Sequence, residues 1–432
     1  MSQPEALPGG RRRNPWWIPP FLGRVPAEVP DVHVKLLGAL AFAIYFENFD
    51  QALLTQAIKQ IAADFGVAEK QLGAMLGWVR LGAVPAFLLV PFADRIGRRR
   101  LFLVSVLGMS LFTTAAGLSF DAIVFVGCQM FARMFMVTAA ATAFVIISEE
   151  LAASQRGWGI GILGAVGAFG VGLAAALFAA IEILPWGWRT MYALGILPVL
   201  LFPWLRRRVT ETARFTRHQS TQAQVGLMAG WFRPLANLLR EQPARAAAIA
   251  LIGFAQTASV AAVYNFSAYF VQVAHGWEPR HYALLLGVAG VGGVLGHPFA
   301  GRMADRRGRR TVGVALLTLF PLLALLFYRG PEWLVPVAWV PMIFTLTGGE
   351  TIIRALATEL FPTSLRGTAS GWLQMTSTLG AAAGLFGVTL ATPEGGSAIP
   401  AVQGIALCAW IAALVIWFLP ETGGRELEEI SA

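Results

Sequence analysis

Long apolar runs alternate with short polar, arginine-rich segments along the whole chain. Twelve runs have helical length, at roughly 35–60, 72–93, 101–120, 122–148, 158–182, 188–205, 246–273, 282–302, 312–328, 333–357, 367–391 and 398–419. Most reach the ~17–25 residues that cross ~30 Å of hydrocarbon as a helix. Runs six and nine are short. The runs are solid rather than alternating, so they predict membrane helices and not barrel strands. From Arg206 to Arg245 the pattern is interrupted by eight arginines, Pro234, Pro243 and several glutamines. That gap separates six runs from six, and predicts a cytoplasmic linker, partly helical, along the membrane surface.

Composition agrees. Of 432 residues, 56% are apolar and 13% charged, with a mean hydropathy of +0.63. Soluble proteins carry about 25% charged residues, and their surfaces need them. A soluble fold, a disordered chain, a collagen and a coiled coil are excluded on these grounds. The net charge of +9 and pI near 10.2 suggest nucleic acid at first sight. The placement of the charge argues otherwise. With the N-terminus inside, 25 basic residues fall in cytoplasmic segments and only 5 outside, at Lys59, Lys70, Arg189, Arg280 and Arg329. This is the positive-inside asymmetry of a membrane protein with both termini cytoplasmic, so no nucleic-acid partner is expected. Trp186, Trp188, Trp277 and Trp333 fall at outer ends, where an aromatic belt belongs. Arg11–Arg13 precede prolines and tryptophans rather than an apolar stretch, so no signal peptide is expected. Cys128 and Cys408 lie inside apolar runs and build neither a disulfide framework nor a metal site.

The two halves repeat. The segment ADRIGRRR at 93–100 answers ADRRGRRT at 304–311, an offset of 211. Glu149 and Arg156-Gly157 answer Glu359 and Arg366-Gly367, and Glu211-Thr212 answers Glu421-Thr422, each at an offset of 210. Parallel six-helix repeats imply a duplicated fold with its site at the repeat interface near the midplane. The expected organisation is a cytoplasmic tail (1–34), a six-helix bundle (35–205), a cytoplasmic linker (206–245), a second six-helix bundle (246–419) and a cytoplasmic tail (420–432).

On these residues the chain resembles the major facilitator superfamily along nearly its whole length. The Asp-Arg-x-Gly-Arg-Arg loop after span two, copied after span eight, is that family's most specific motif. The glycine usually found four residues before the aspartate is present as Gly301 in the second copy and replaced by Val90 in the first. Glu149…Arg156-Gly157, Glu211…Arg214-Phe215, Glu359…Arg366-Gly367 and Pro420-Glu421-Thr422 are similar to the sugar-porter and organic-acid symporter group. Glu47-Asn48-Phe49-Asp50 resembles the paired-acid motif of aromatic acid:proton symporters, with Glu as the first acid and Asn in place of a small residue. The sugar-porter glutamine pair of span seven is missing, its place reading Ala255-Gln256-Thr257. Gly159 to Gly172 contains no proline, unlike the antiporter motif of span five. The resemblance implies twelve helices in two pseudo-symmetric bundles. It also implies a charge network of Asp94, Arg98, Glu149, Arg156 and Glu211, with Asp305, Arg309, Glu359, Arg366 and Glu421, that closes the inner side in the outward-open state.

Candidate chemistry sits in the intramembrane charges. An ionised side chain at mid-bilayer costs ~2.5–3.5 kcal/mol on insertion scales. Glu47 and Asp50 are three apart on one helix face. Glu47 lies ~18 Å from the inner end of its span and Arg133 ~16 Å from the outer end of span four, at 1.5 Å per residue. Their depths match, so a carboxylate–guanidinium pair is feasible, either as a permanent brace or as a proton-coupling site. Glu350 and Arg354 form an i,i+4 pair, a local brace or a gate. Arg80 is mid-depth without a partner in sequence, an anion ligand or a snorkelling side chain. His297 precedes Pro298 and is expected to pack at a kink. Tyr45, Tyr264, Asn265, Tyr269 and Gln374 are polar points on apolar helices, each an interhelical hydrogen bond or part of a cavity lining.

These features predict an all-α polytopic protein of the bacterial inner membrane, a monomer without cofactor or metal and not an enzyme. It is expected to move a small organic anion, a carboxylate or aromatic acid, with protons by alternating access. Glu47, Asp50 and Arg133 are the expected coupling residues. Arg80, Arg133, Tyr45, Tyr264, Asn265, Glu350 and Arg354 are the substrate-binding candidates. A transporter of a neutral solute such as a sugar or polyol, a proton-coupled efflux antiporter, and a transporter-like sensor that binds without moving its ligand are the alternatives.

Overall fold

A computed structural model describes residues 14–22, 24–90, 96–211, 227–362 and 364–423, and among these residues there is no strand. The apolar runs become helices long enough to span a membrane: α1 Asp31–Gln56, α2 Glu69–Leu89, α3 Arg98–Gly117, α4 Ala122–Glu150 and α5 Ser154–Ala179. The sixth, α6, is a broken pair, Trp188–Leu200 and Phe202–Arg208, bent by 44°. The second half contributes α7 Pro243–Ala274, α8 Pro279–Arg307, α9 Arg309–Arg329, α10 Leu334–Glu359, α11 Arg366–Ala391 and α12 Ile399–Phe418.

Local chemistry sets the breaks. The short sixth run is short because it is interrupted: Pro203, lacking an N–H, opens the second piece of α6 in its first turn. The ninth run is a regular 21-residue helix. The first run extends past the end of α1, because the chain breaks at Ala57 before the short helix Ile58–Phe65. Gly66 then reverses the chain with φ 64°, a conformation that a side chain would strain. Asp121 caps α4 by accepting from the Val124 N–H at 2.8 Å. The described part of the linker holds a helix, Leu227–Glu241, which packs on α7 and α11 and buries Leu238 in the second half.

The repeat seen in sequence is a repeat of packing. In the first half α1 lies on α5 and α3 on α4; in the second α7 lies on α11 and α8 and α9 on α10. A Cβ on Gly170 would overlap the Tyr45 carbonyl of α1, and one on Gly380 would overlap the Phe254 carbonyl of α7. Gly82 presses likewise on the Met130 backbone, and Gly292 lies close to that of Val340, where an added Cβ would sit 3.2 Å from the carbonyl oxygen. Each glycine and its mate are 210 residues apart.

We call the end of the bundle that holds the starts of α1 and α7 and the end of α12 the terminal face, and the other the far face. The halves meet through α2 on α11, α5 on α8 and α1 on α7. Polar links between them gather at the far face. Thr55 donates to Asn265 (3.1 Å), Lys59 to the Gln272 carbonyl (3.2 Å) and Gln60 to the Gln272 side chain (2.8 Å). Glu69 accepts from Tyr269 (3.1 Å), Ser397 (3.0 Å) and the Ala398 N–H (2.6 Å). One apolar core fills the first half and continues into the far-face part of the second, whereas the terminal part of the second half has a core of its own. The outer surface carries exposed apolar side chains such as Leu118, Ile123, Val291, Val294, Leu390 and Phe418, as a lipid-facing surface requires. Trp186 and Trp333 are exposed as an interfacial belt needs, but Trp188 is a correction: it is buried at 5% among Phe65, Phe125 and Tyr192. Cys128 and Cys408 are free and partly buried.

Candidate functional site

The buried charges converge at mid-height in the first half. Asp50 is 3% exposed on α1. Gln129 of α4 donates to it at 3.4 Å, and Thr113 of α3 faces the same carboxylate. Gln129 and Arg133 stand one turn apart on α4, so one helix presents an amide and a guanidinium to the same acid. The Tyr192 hydroxyl of α6 lies in the field of Asp50 and is buried without a hydrogen-bond partner. Gln129, Thr113 and Tyr192 were not singled out by sequence reading. Only the i,i+4 relation of Gln129 to Arg133 was a signal for any of them.

Glu47 is half-buried and accepts from Gln51 one turn on, at 3.3 Å. Arg133 lies in the field of both Glu47 and Asp50, as the depth argument predicts, yet no N···O distance between them falls within 4.0 Å. The feasible ion pair is therefore not closed in this conformation. The Arg133 Nε is buried without a partner. Arg80 comes in from α2, facing Arg133 and, across the joint between halves, Tyr264 of α7. Asp50, Thr55, Arg80, Gln129, Arg133 and Asn265 enclose a niche of about 20 Å³. That is room for one water or the head of one carboxylate, not for a whole organic molecule.

The remaining candidates separate. Asn265 lines the niche but spends its side chain on Thr55 and on the Ala261 carbonyl (2.8 Å), so it ties α7 to α1. Tyr264 stacks on Trp339 at 5.9 Å. Tyr45 is half-buried against Phe46 and does not line the niche. Glu350 and Arg354 pair with each other at 3.4 Å, Arg354 being 73% exposed, and they do not join the buried cluster. Tyr269 belongs to the far-face link with Glu69. Gln374 is exposed. His297 is exposed and bonded to Thr351 at 2.8 Å, rather than packed at a kink.

At the terminal face two equivalent charge clusters form, one per half. Arg98 pairs with Glu149 at 3.1 Å, and Arg309 with Glu359 at 3.2 Å and Asp305 at 2.6 Å. Glu211 accepts from the Arg99 N–H (3.3 Å), and Glu421 from the Arg309 N–H (2.6 Å) and the Arg310 N–H (3.2 Å). These carboxylates cap the first turns of α3 and α9, where free N–H groups and the helix dipole favour an anion. Arg156 folds back onto the Leu151 carbonyl and Arg366 onto that of Phe361. Asp94 lies outside the described residues.

A duplicated six-helix unit, matching glycine contacts and twin charge clusters at a 210-residue offset narrow the possibilities to one architecture. The sequence profile of the Major Facilitator Superfamily matches residues 40–385 and 249–430. The chain belongs to the major facilitator superfamily. It is an integral membrane transporter of that family, and not an enzyme. It is 25% identical over 418 residues to a gallate transporter of Pseudomonas putida, covering 88% of this chain and 90% of that one. It is 24% identical over 411 residues to the 3-(3-hydroxy-phenyl)propionate transporter of Escherichia coli, covering 93% and 98%. Among solved structures, the inward open conformation of the xylose transporter XylE from E. coli superposes with a TM-score of 0.71 at 17% identity, over 92% of this chain and 98% of that one. At that identity the likeness concerns the fold alone.

Proposed function

We propose that this superfamily member couples inward movement of protons to uptake of a small organic anion, a carboxylate or aromatic acid, across the bacterial inner membrane. The observation that carries the reading is the cluster of Asp50, Glu47, Arg133 and Arg80 at mid-height between helices of one half, next to the joint with the other. An organic anion suits it because guanidinium groups bind carboxylates through two parallel hydrogen bonds. The printed functions of the gallate and hydroxyphenylpropionate transporters support the same substrate class. A sugar or polyol needs a lining of neutral hydrogen-bonding side chains. Here Arg80 and Arg133 stand beside the neutral Gln51, Thr55, Gln129 and Asn265, and the two guanidinium groups favour an anion.

In this reading residues 35–205 and 246–419 are the two moving bodies and 206–245 joins them. The terminal face, with both tails, is cytoplasmic, and the conformation described is closed to the outside at Thr55, Lys59, Gln60 and Glu69. Protonation of Asp50 or Glu47 removes the field that holds Arg133, and the bodies rock about the site. The protein works as a monomer on protons and a small molecule.

Asp50→Asn tests this. Asn is nearly isosteric but carries no proton, so uptake driven by a pH gradient into liposomes is abolished. Exchange of substrate at equal pH survives, because it needs no net proton movement. Gradient-driven uptake near the wild-type rate would remove Asp50 as the coupling site. Binding in detergent without any counterflow in liposomes would identify a sensor instead.

A further inference from the structure

The two half-buried arginines between the helices are not equivalent. Arg133 has acids around it: Glu47 and Asp50 both act on it, and Gln129 stands beside it on α4. Arg80 has none. Among the described residues no carboxylate lies within 4.0 Å of its guanidinium, and the groups that act on it are the like charge of Arg133 and the Tyr264 hydroxyl. It sits eleven residues into α2, about 16 Å from the far-face end of that helix. Its side chain lines the inner niche with Asp50 and Asn265 and so does not snorkel towards headgroups. An intramembrane cation without a counter-ion is costly. The guanidinium groups of Arg80 and Arg133 face one small niche and repel each other, and an anion placed between them relieves both costs.

We propose that Arg80 is the residue that holds the carboxylate of the transported anion, while Arg133 serves the proton-carrying acids, so that binding and coupling fall to different guanidinium groups. This rests on the organic-anion reading above. The anion's head occupies the niche, and the rest of the molecule lies outside it. Because Arg80 belongs to the first half and Tyr264 to the second, the bound carboxylate sits at the joint between them. An uncharged amide of the same acid lacks the charge that Arg80 needs and binds weakly.

The test uses the purified full-length protein with gallate and 3-(3-hydroxyphenyl)propionate, each beside its amide, and follows binding by calorimetry and thermal unfolding. Arg80→Gln is expected to weaken acid binding by about tenfold or more, the loss of a charge-assisted bidentate contact, and to leave the weak amide binding unchanged. Arg80→Lys keeps the charge without the fork and recovers part of the affinity. The pH dependence of residual binding stays as in the wild type for both variants, since the acids and Arg133 are intact. Ligand-free Arg80→Gln unfolds at the wild-type temperature or above, because an intramembrane cation without a carboxylate in contact has been removed. A structural arginine gives the opposite pattern, a lower unfolding temperature with acid and amide affinities changed alike. Wild-type acid affinity in Arg80→Gln overturns the assignment of Arg80 alone. If the wild-type protein binds neither acid better than its amide, the organic-anion reading fails and this inference with it.

Discussion

Asp50 owes its position to three side chains from two other helices: Thr113 of α3, and Gln129 and the Arg133 guanidinium one turn beyond on α4. A carboxylate buried to 3% exposure is tolerable only when it is solvated by such groups or neutralised. Arg133 is the pivot, since it lies in the field of both Glu47 and Asp50 without a closed ion pair to either. Arg133→Lys retains the charge and loses the planar fork that serves the acids, so proton-driven uptake should slow roughly tenfold, as expected from ~1.5–3 kcal/mol for a charged hydrogen bond, while substrate affinity, held by Arg80, changes little. Arg133→Ala should also alter the pH dependence of binding, because the acids lose their counter-charge. Uptake and binding of both variants measured across pH check this. Wild-type uptake and pH dependence in Arg133→Ala would make the arginine a brace and would remove its part in coupling.

At the scale of elements, the twin packings α1 on α5 and α7 on α11 depend on the backbone approach at Gly170 and Gly380. Small residues at such contacts are what helix association in lipid relies on. A valine at either position would meet a carbonyl of the partner helix with no flexible atom to yield. Gly170→Val and Gly380→Val should each cost about 1–3 kcal/mol by overpacking, visible as a lowered unfolding temperature in detergent. A neutral result at either site would show that the helices separate without penalty. The broken α6 follows the same logic in reverse: Pro203 removes a helix hydrogen bond, and the helix bends there.

For the whole molecule, the halves are tied at the far face, and at the terminal face Arg98 pairs with Glu149 and Arg309 with Glu359, each within its own half. Glu69 is the densest of the ties, accepting three hydrogen bonds from α7 and from the start of α12. Its N-terminal N–H partner, Ala398, has no helical acceptor of its own, so the carboxylate supplies one across the joint. Glu69→Ala should loosen this face by a few kcal/mol at most, each ~1.4 kcal/mol shifting the conformational population tenfold. Hydrogen–deuterium exchange in residues 55–70 and 394–398 should then rise, while exchange in the α3–α4 pair stays as it was. Unchanged exchange at the far face would mean that apolar packing of α2 on α11, around Gly73, Gly77 and Phe386, holds the halves without it.

Sequence alone determined the class and the repeat. Hydrocarbon thickness dictates the length of each run, so the twelve spans were legible, and a duplicated chain keeps its landmarks at one offset. It also marked Glu47, Asp50, Arg80 and Arg133, because charge inside a membrane is conspicuous against an apolar background. What surrounds those charges was decided by tertiary structure. Beyond the i,i+4 spacing of Gln129 from Arg133, nothing along the chain distinguishes Gln129, Thr113 or Tyr192 from other polar residues on apolar helices, since hydrogen-bond partners on separate helices have no fixed spacing in sequence. The same holds for Thr55 and Asn265. Their offset of 210 is the repeat itself, but only the packing of α1 against α7 brings the two equivalent positions into contact. Whether Glu350 and Arg354 join the central cluster or pair alone depends on the rotation of α10, which neighbouring helices set and the local sequence does not.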